Sequence, residues 1–138
     1  MYKQFSLGEI VTWLANSKTY KVVQISKGYY LISEYDSSTQ KTDTKRKSID
    51  ISIAATLVPD ELAGKSGIHV SHLLGTKVKG SPYFADIEFT VLSSYLYLDL
   101  NTMSDIVCYD LRVNEGTGRL CGVGHDETVF ISYNPPKD

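Results

Sequence analysis

The sequence predicts an all-β protein: a small barrel over residues 1–59, a second antiparallel β module (sandwich or barrel) over 60–138, and at most one or two short helices. Three observations point there. Val, Ile and Thr together supply 32 of the 138 residues, whereas Ala supplies five. β-branched side chains lose rotamer freedom on a helix and suit a pleated surface, and the best helix former is nearly missing. Tyr supplies 10 of the 15 aromatic residues, which favours the same surface. Short apolar runs are punctuated by Gly, Pro, Asn and Ser at strand-like intervals.

Composition also bounds the function. A hydrophobic fraction of 42% with 22% charged residues excludes disorder as the main state. No apolar run approaches the length of a membrane helix, and residues 1–14 lack the basic start and continuous apolar stretch of a signal peptide, so a cytoplasmic chain is expected. Two cysteines, Cys108 and Cys121, make neither a disulfide framework nor a four-ligand zinc site, and a reducing compartment is the simpler setting. Charge divides the chain: residues 1–58 carry a net +3 and residues 59–138 a net −5. Such asymmetry suits separate surfaces with separate partners, or halves that attract one another in an oligomer.

In the first half, a Gly8 bend precedes the apolar run Ile10, Val11, Trp13 and Leu14, the first strand. Asn16, Ser17 and Lys18 form a turn, and Tyr20 to Ile25 is the second strand. Ser26, Lys27 and Gly28 connect it to Tyr29 to Tyr35, completing a hairpin in which Tyr30 and Ile32 share one face. Residues 36–47 are polar, a loop or exposed hairpin tip. Ser48 to Ile53 alternates Ile49, Ile51 and Ile53 with polar residues, the cleanest period-2 signal in the chain. Leu57, Val58 and Pro59 close the segment, because proline cannot donate to a ladder.

The entry Gly8-Glu9 with Val11, the Tyr-Lys-Val-Val second strand, the Tyr-Tyr-Leu-Ile third strand and the closing Leu57-Val58-Pro59 resemble an SH3-like barrel of the Tudor or KOW kind over about 55 residues. The Tudor resemblance implies an aromatic cage for methylated Lys or Arg, with Trp13, Tyr20, Tyr30 and Tyr35 beside Asp36 as its walls. The same rings also suit an ordinary core. The KOW resemblance implies nucleic-acid contact through a basic loop, and Lys41, Lys45, Arg46 and Lys47 sit within seven positions. Asp43 lies among them, so a solvated hairpin tip is the competing reading.

The second half is β again. Pro59 to Ala63 has the proline and acids of a short helix start. Ala63-Gly64-Lys65-Ser66 is not a phosphate loop, because Pro59 stands where that motif needs glycine. Ile68 to Leu74 reads as a strand or helical turn, and Gly75 to Ser81 as a loop. Tyr83 to Leu92 and Tyr95 to Leu100 read as two strands with Ser93-Ser94 between them. Ile106 to Val113 and Arg119 to Val123 form a hairpin, and with Asn114 and Glu115 at its centre Cys108 faces Cys121 and Asp110 faces Arg119. Thr128 to Tyr133 is the last strand, stopped by Pro135-Pro136.

Chemistry-bearing residues are sparse. His69 and His72 lie three apart, which puts them on one face of a helix but on opposite faces of a strand. Residues 122–126 form a flexible loop in which Cys121, His125 and Asp126 could meet, and a thiol nucleophile with such partners would define a Cys/His enzyme. No cofactor or metal is implied. The sequence therefore predicts a non-enzymatic binding or assembly protein, a subunit of a larger complex such as a viral or phage particle, as a homo- or hetero-oligomer with protein partners and no membrane contact. The surplus of Tyr is the sign of an interface. A nucleic-acid-binding module using the 41–47 loop is the first alternative, and the Cys/His enzyme the second.

Overall fold

A computed structural model describes residues 5–50, 57–59, 68–80, 87–114 and 116–133. The chain is nearly all-β and antiparallel, and among the described residues no helix is long and apolar enough to cross a membrane. It divides into two compact units, Met1–Val70 and Ser71–Asp138. The first unit extends beyond Pro59 because the backbone N–H of His69 donates to the Leu7 carbonyl at 2.9 Å.

In the first unit, Phe5 and Leu7 are buried, and Gly8 turns the chain with a φ of +82° that a side chain would oppose. Strand β1 (Ile10–Trp13) pairs with β2 (Lys18–Ser26) across a turn in which Asn16 Oδ1 accepts the Lys18 N–H at 2.9 Å. Lys27 and Gly28 link β2 to β3 (Tyr29–Asp36), with Gly28 at φ +90°. β4 (Lys41–Thr42) folds back on the end of β3, and β5 (Lys47–Asp50) pairs along its first half. β6 (Leu57–Pro59) runs along β1, with the proline at its last position. Ile10, Val11, Val22, Tyr30, Ile32 and Ile49 form the core. Of the alternating isoleucines only Ile49 is described; Ile51 and Ile53 lie outside the described residues, as does the helix start expected after Pro59.

In the second unit, β7 (Lys77–Gly80), β8 (Glu88–Asp99), β9 (Ser104–Val113), β10 (Arg119–Gly124) and β11 (Thr128–Ser132) pair in the order β11-β7-β8-β9-β10. β10 and β11 stand at opposite ends of that order, yet only a 3₁₀ turn, His125–Glu127, joins them. In a flat sheet four strand spacings would separate them by about 19 Å, whereas a three-residue 3₁₀ turn advances only about 2 Å per residue. The sheet of this unit must therefore curl. Val78, Phe89, Val91, Tyr109 and Leu111 fill its inner face.

Four expectations are corrected here. Residues 75–81 are not all loop: Lys77, Val78 and Lys79 alternate between exposed and buried as β7, a strand too short to announce itself by periodicity. Ser93 and Ser94 do not separate two strands but lie buried within β8, where Ser93 Oγ donates to Asp110 Oδ2 at 3.1 Å and a bulge between Val91 and Ser93 absorbs the extra residue. The Cys108–Cys121 register does not form. Val113 N–H closes the hairpin on Gly118 O, Arg119 faces Arg112, and a bulge at Gly122 (φ +73°) sets Gly124 opposite Cys108. Asp110 accordingly takes the hydroxyls of Ser93 and Tyr95 in place of Arg119. Finally, residues 68–74 are neither strand nor helical turn.

Ile32 is fully buried at the centre of the first unit. Ile32→Ala is expected to lower the unfolding free energy by about 2–5 kcal/mol in urea titrations, with the spread set by how far the site can collapse.

Candidate functional site

The four predicted cage rings have different fates. Trp13 and Tyr20 meet edge to face, with centroids 6.1 Å apart, and the Tyr20 hydroxyl accepts from Asn16 Nδ2 at 2.8 Å. Tyr20 is buried, and Tyr30 is buried against Phe5 on the core face of β3, so neither offers an open ring face. The half-buried Trp13 already carries a cation: Lys47 Nζ lies 4.0 Å from its ring centroid. Tyr35 lines an open groove with Lys18, Glu34, Asp36, Lys41 and Asp43. The Asp36 carboxylate is turned to the loop tip, where the Ser38 hydroxyl and backbone N–H donate to it and hold its pKa below the usual range.

The basic loop is divided in the same way. All four cations are exposed, but Lys41 shares its groove with three carboxylates and Lys47 is over Trp13, with Lys45 and Arg46 between them. Phosphate binding profits from cations without acidic neighbours, an arrangement this loop has only in part.

The histidines meet in a combination that the sequence did not suggest. His69 serves the first unit through its backbone, while the His72 ring in the second unit lies tilted against that of His125, with centroids 4.6 Å apart. Tyr109, from β9, stands between them: its hydroxyl accepts the His72 backbone N–H at 2.8 Å and lies 2.6 Å from His125 Nδ1. His72 Nε2 is 2.9 Å from Thr128 Oγ1, and that hydroxyl donates to the His125 carbonyl at 2.7 Å. Phe130 packs beside the His72 ring.

This network assigns the protons. The Thr128 hydroxyl proton is committed to a carbonyl, so Thr128 Oγ1 accepts from His72 Nε2–H. Tyr109 accepts the His72 backbone N–H, and its hydroxyl also shares a hydrogen bond with His125 Nδ1. Burial, and secondarily the neighbouring His125, lowers the pKa of His72, while burial pushes that of Tyr109 up to about 12. The two imidazoles, the Tyr109 phenol and the Thr128 hydroxyl form a clasp in which each named polar group has its partner within the unit.

His125, the imidazole of the alternative Cys/His reading, has its Nδ1 on the Tyr109 phenol. Cys121 is exposed on β10 and Cys108 buried, both as free thiols, and burial raises the Cys108 thiol pKa. Among the described residues no group of three or more His, Cys, Asp or Glu is placed to hold a metal ion. Sequence reading missed Tyr109, Thr128 and Phe130. Each looks like an ordinary strand residue, and no local signal separates them from their neighbours.

The second feature of this unit is the free end of the β8–β9 hairpin. Tyr97 faces Ile106 across the ladder on one side and Leu98 faces Asp105 on the other, and all three apolar residues are exposed. At the turn, Leu100 and Met103 are 73% and 69% exposed. The turn is nonetheless ordered, because Asp99 accepts the Met103 N–H on its carbonyl at 2.7 Å and the Asn101 N–H on its carboxylate at 2.9 Å.

Comparison with protein-family models, curated proteins and solved structures finds no match to this chain.

Two outcomes are expected of the clasp. Tyr109→Phe removes the acceptor for His72 N–H and the partner of His125 Nδ1, and should cost about 1–3 kcal/mol in denaturant unfolding. Because the folded-state pKa of His72 lies below its ordinary value of 6.5, the unfolded chain binds the proton first. Stability is then full above that value and declines as pH falls through and below it. Unfolding measured from pH 8 to pH 5 should show this decline in the wild type and a flatter curve in His72→Gln; equal slopes would refute the assignment.

Proposed function

We propose that this chain is a non-enzymatic binding protein that works as a subunit of a larger assembly and makes its contacts through protein surfaces. The observation that carries the reading is the end of the β8–β9 hairpin. A hairpin that serves only its own core buries one face, whereas this one carries exposed apolar side chains on both faces and at its turn. Its ordered turn lowers the entropy lost on binding. Tyr97 supplies the kind of broad amphipathic ring that interfaces favour.

The SH3-like reading of the first unit belongs to the same proposal. It is supported by the antiparallel succession β1-β2-β3 with β5 on β3 and β6 returning to β1. Two free thiols support a reducing setting such as the cytoplasm or a particle assembled there.

A photo-crosslinking residue in place of Met103, introduced in the cells that make the protein, tests the reading. Crosslinks to protein are expected from position 103 and not from Thr117, which is exposed in a polar hairpin loop. No protein adduct above that of the Thr117 control would overturn the proposal.

A further inference from the structure

The hairpin end has a chemical complement on the first unit. Over residues 97–106 the charged residues are Asp99 and Asp105, with no cation, around the exposed Tyr97, Leu98, Leu100 and Met103. Residues 41–47 hold four cations and one acid. The end of that segment is tied to an apolar surface by Lys47 over Trp13, and Leu14, the next residue, is 58% exposed. One surface is apolar and acidic, the other apolar and basic. Lys and Arg stems cover apolar surface while their heads meet carboxylates, and guanidinium stacks on a tyrosine ring. The contact of Lys47 with Trp13 displays this chemistry within one chain.

We propose that the occupant of the hairpin end is a second copy of this chain, which receives it on the surface formed by Trp13, Leu14, Lys45, Arg46 and Lys47. The inference rests on the assembly reading above and names its partner. The two surfaces differ, so the contact is heterologous: each copy offers a hairpin end to one neighbour and a basic surface to the other, and association runs head to tail into a ring or an open chain. Six apolar side chains and a few charge pairs correspond to an interface at the low end of the specific range, on the order of 1,000 Å² in total. The charged contribution is weakened by salt.

The full-length chain is tested by sedimentation velocity from low to high micromolar concentration. The weight-average mass should rise with concentration past twice the 15.4 kDa chain mass and fall back in 0.5 M salt. The double variants Leu100→Asp/Met103→Asp and Lys45→Glu/Arg46→Glu change exposed residues, and circular dichroism checks that both keep their sheet. Each alone should remain monomeric. Mixed in equal amounts, they should form a species of two chains that grows no further, because the mixture holds one intact hairpin end and one intact basic surface.

A wild type that stays monomeric at all concentrations overturns the proposal. So do variants that associate as the wild type does, and a mixture that stays monomeric. If the purified chain is monomeric while position 103 crosslinks to a different protein, this inference fails and the assembly reading stands; if position 103 crosslinks to nothing, both fail.

Discussion

The geometry of the second unit depends on one covalent constraint. β10 and β11 are the two ends of a five-strand order, and only His125–Glu127 lies between them. Backbone reach then leaves the sheet no flat solution. The bulges between Val91 and Ser93 and between Leu120 and Val123 fit this demand, because an extra residue bends its strand and raises the local twist. Glycine at 122 takes the positive φ that the second bulge requires.

Curvature of this kind brings distant residues together. His125, in the connector, reaches Tyr109 on β9, and Thr128 at the start of β11 reaches His72 in the segment that leads to β7. The clasp ties the His72 segment to β9 and to the start of β11, and the connector to β9. Burial, with the neighbouring His125 ring, keeps the pKa of His72 below its ordinary value. A histidine pair at 4.6 Å is thus accounted for without assigning it a reactant.

The polar chemistry of the first unit is similarly turned inward on its own surface. Lys18 pairs with Glu34 at 3.0 Å, Asp36 with the Ser38 hydroxyl at 2.6 Å, and Lys47 with the Trp13 ring. These contacts are exposed, and each contributes little to stability. What they do is shape the basic segment, committing Lys41 to an acidic groove and leaving Lys45 and Arg46 outward. In the second unit, five exposed apolar side chains gather on one hairpin end whose turn is held by Asp99. An ordered turn with oily side chains is costly in water, a cost that the proposed partner surface would offset.

The all-β class and the positions of most strands can be read from the amino-acid sequence alone. β-branched enrichment, two-residue alternation and turn-forming residues are local properties that act wherever the segment ends up. The β2–β3 hairpin, the closing proline strand and the last strand were legible for that reason. The registers, the bulges and the site were decided only by tertiary structure. Whether Ser93-Ser94 turns or continues a strand depends on Asp110 standing opposite with a free acceptor. Whether Cys108 meets Cys121 or Gly124 depends on a bulge that two glycine-rich segments permit equally well. His72, Tyr109 and His125 come from three separate stretches of chain, and no periodicity in any one of them encodes the curl that makes them neighbours.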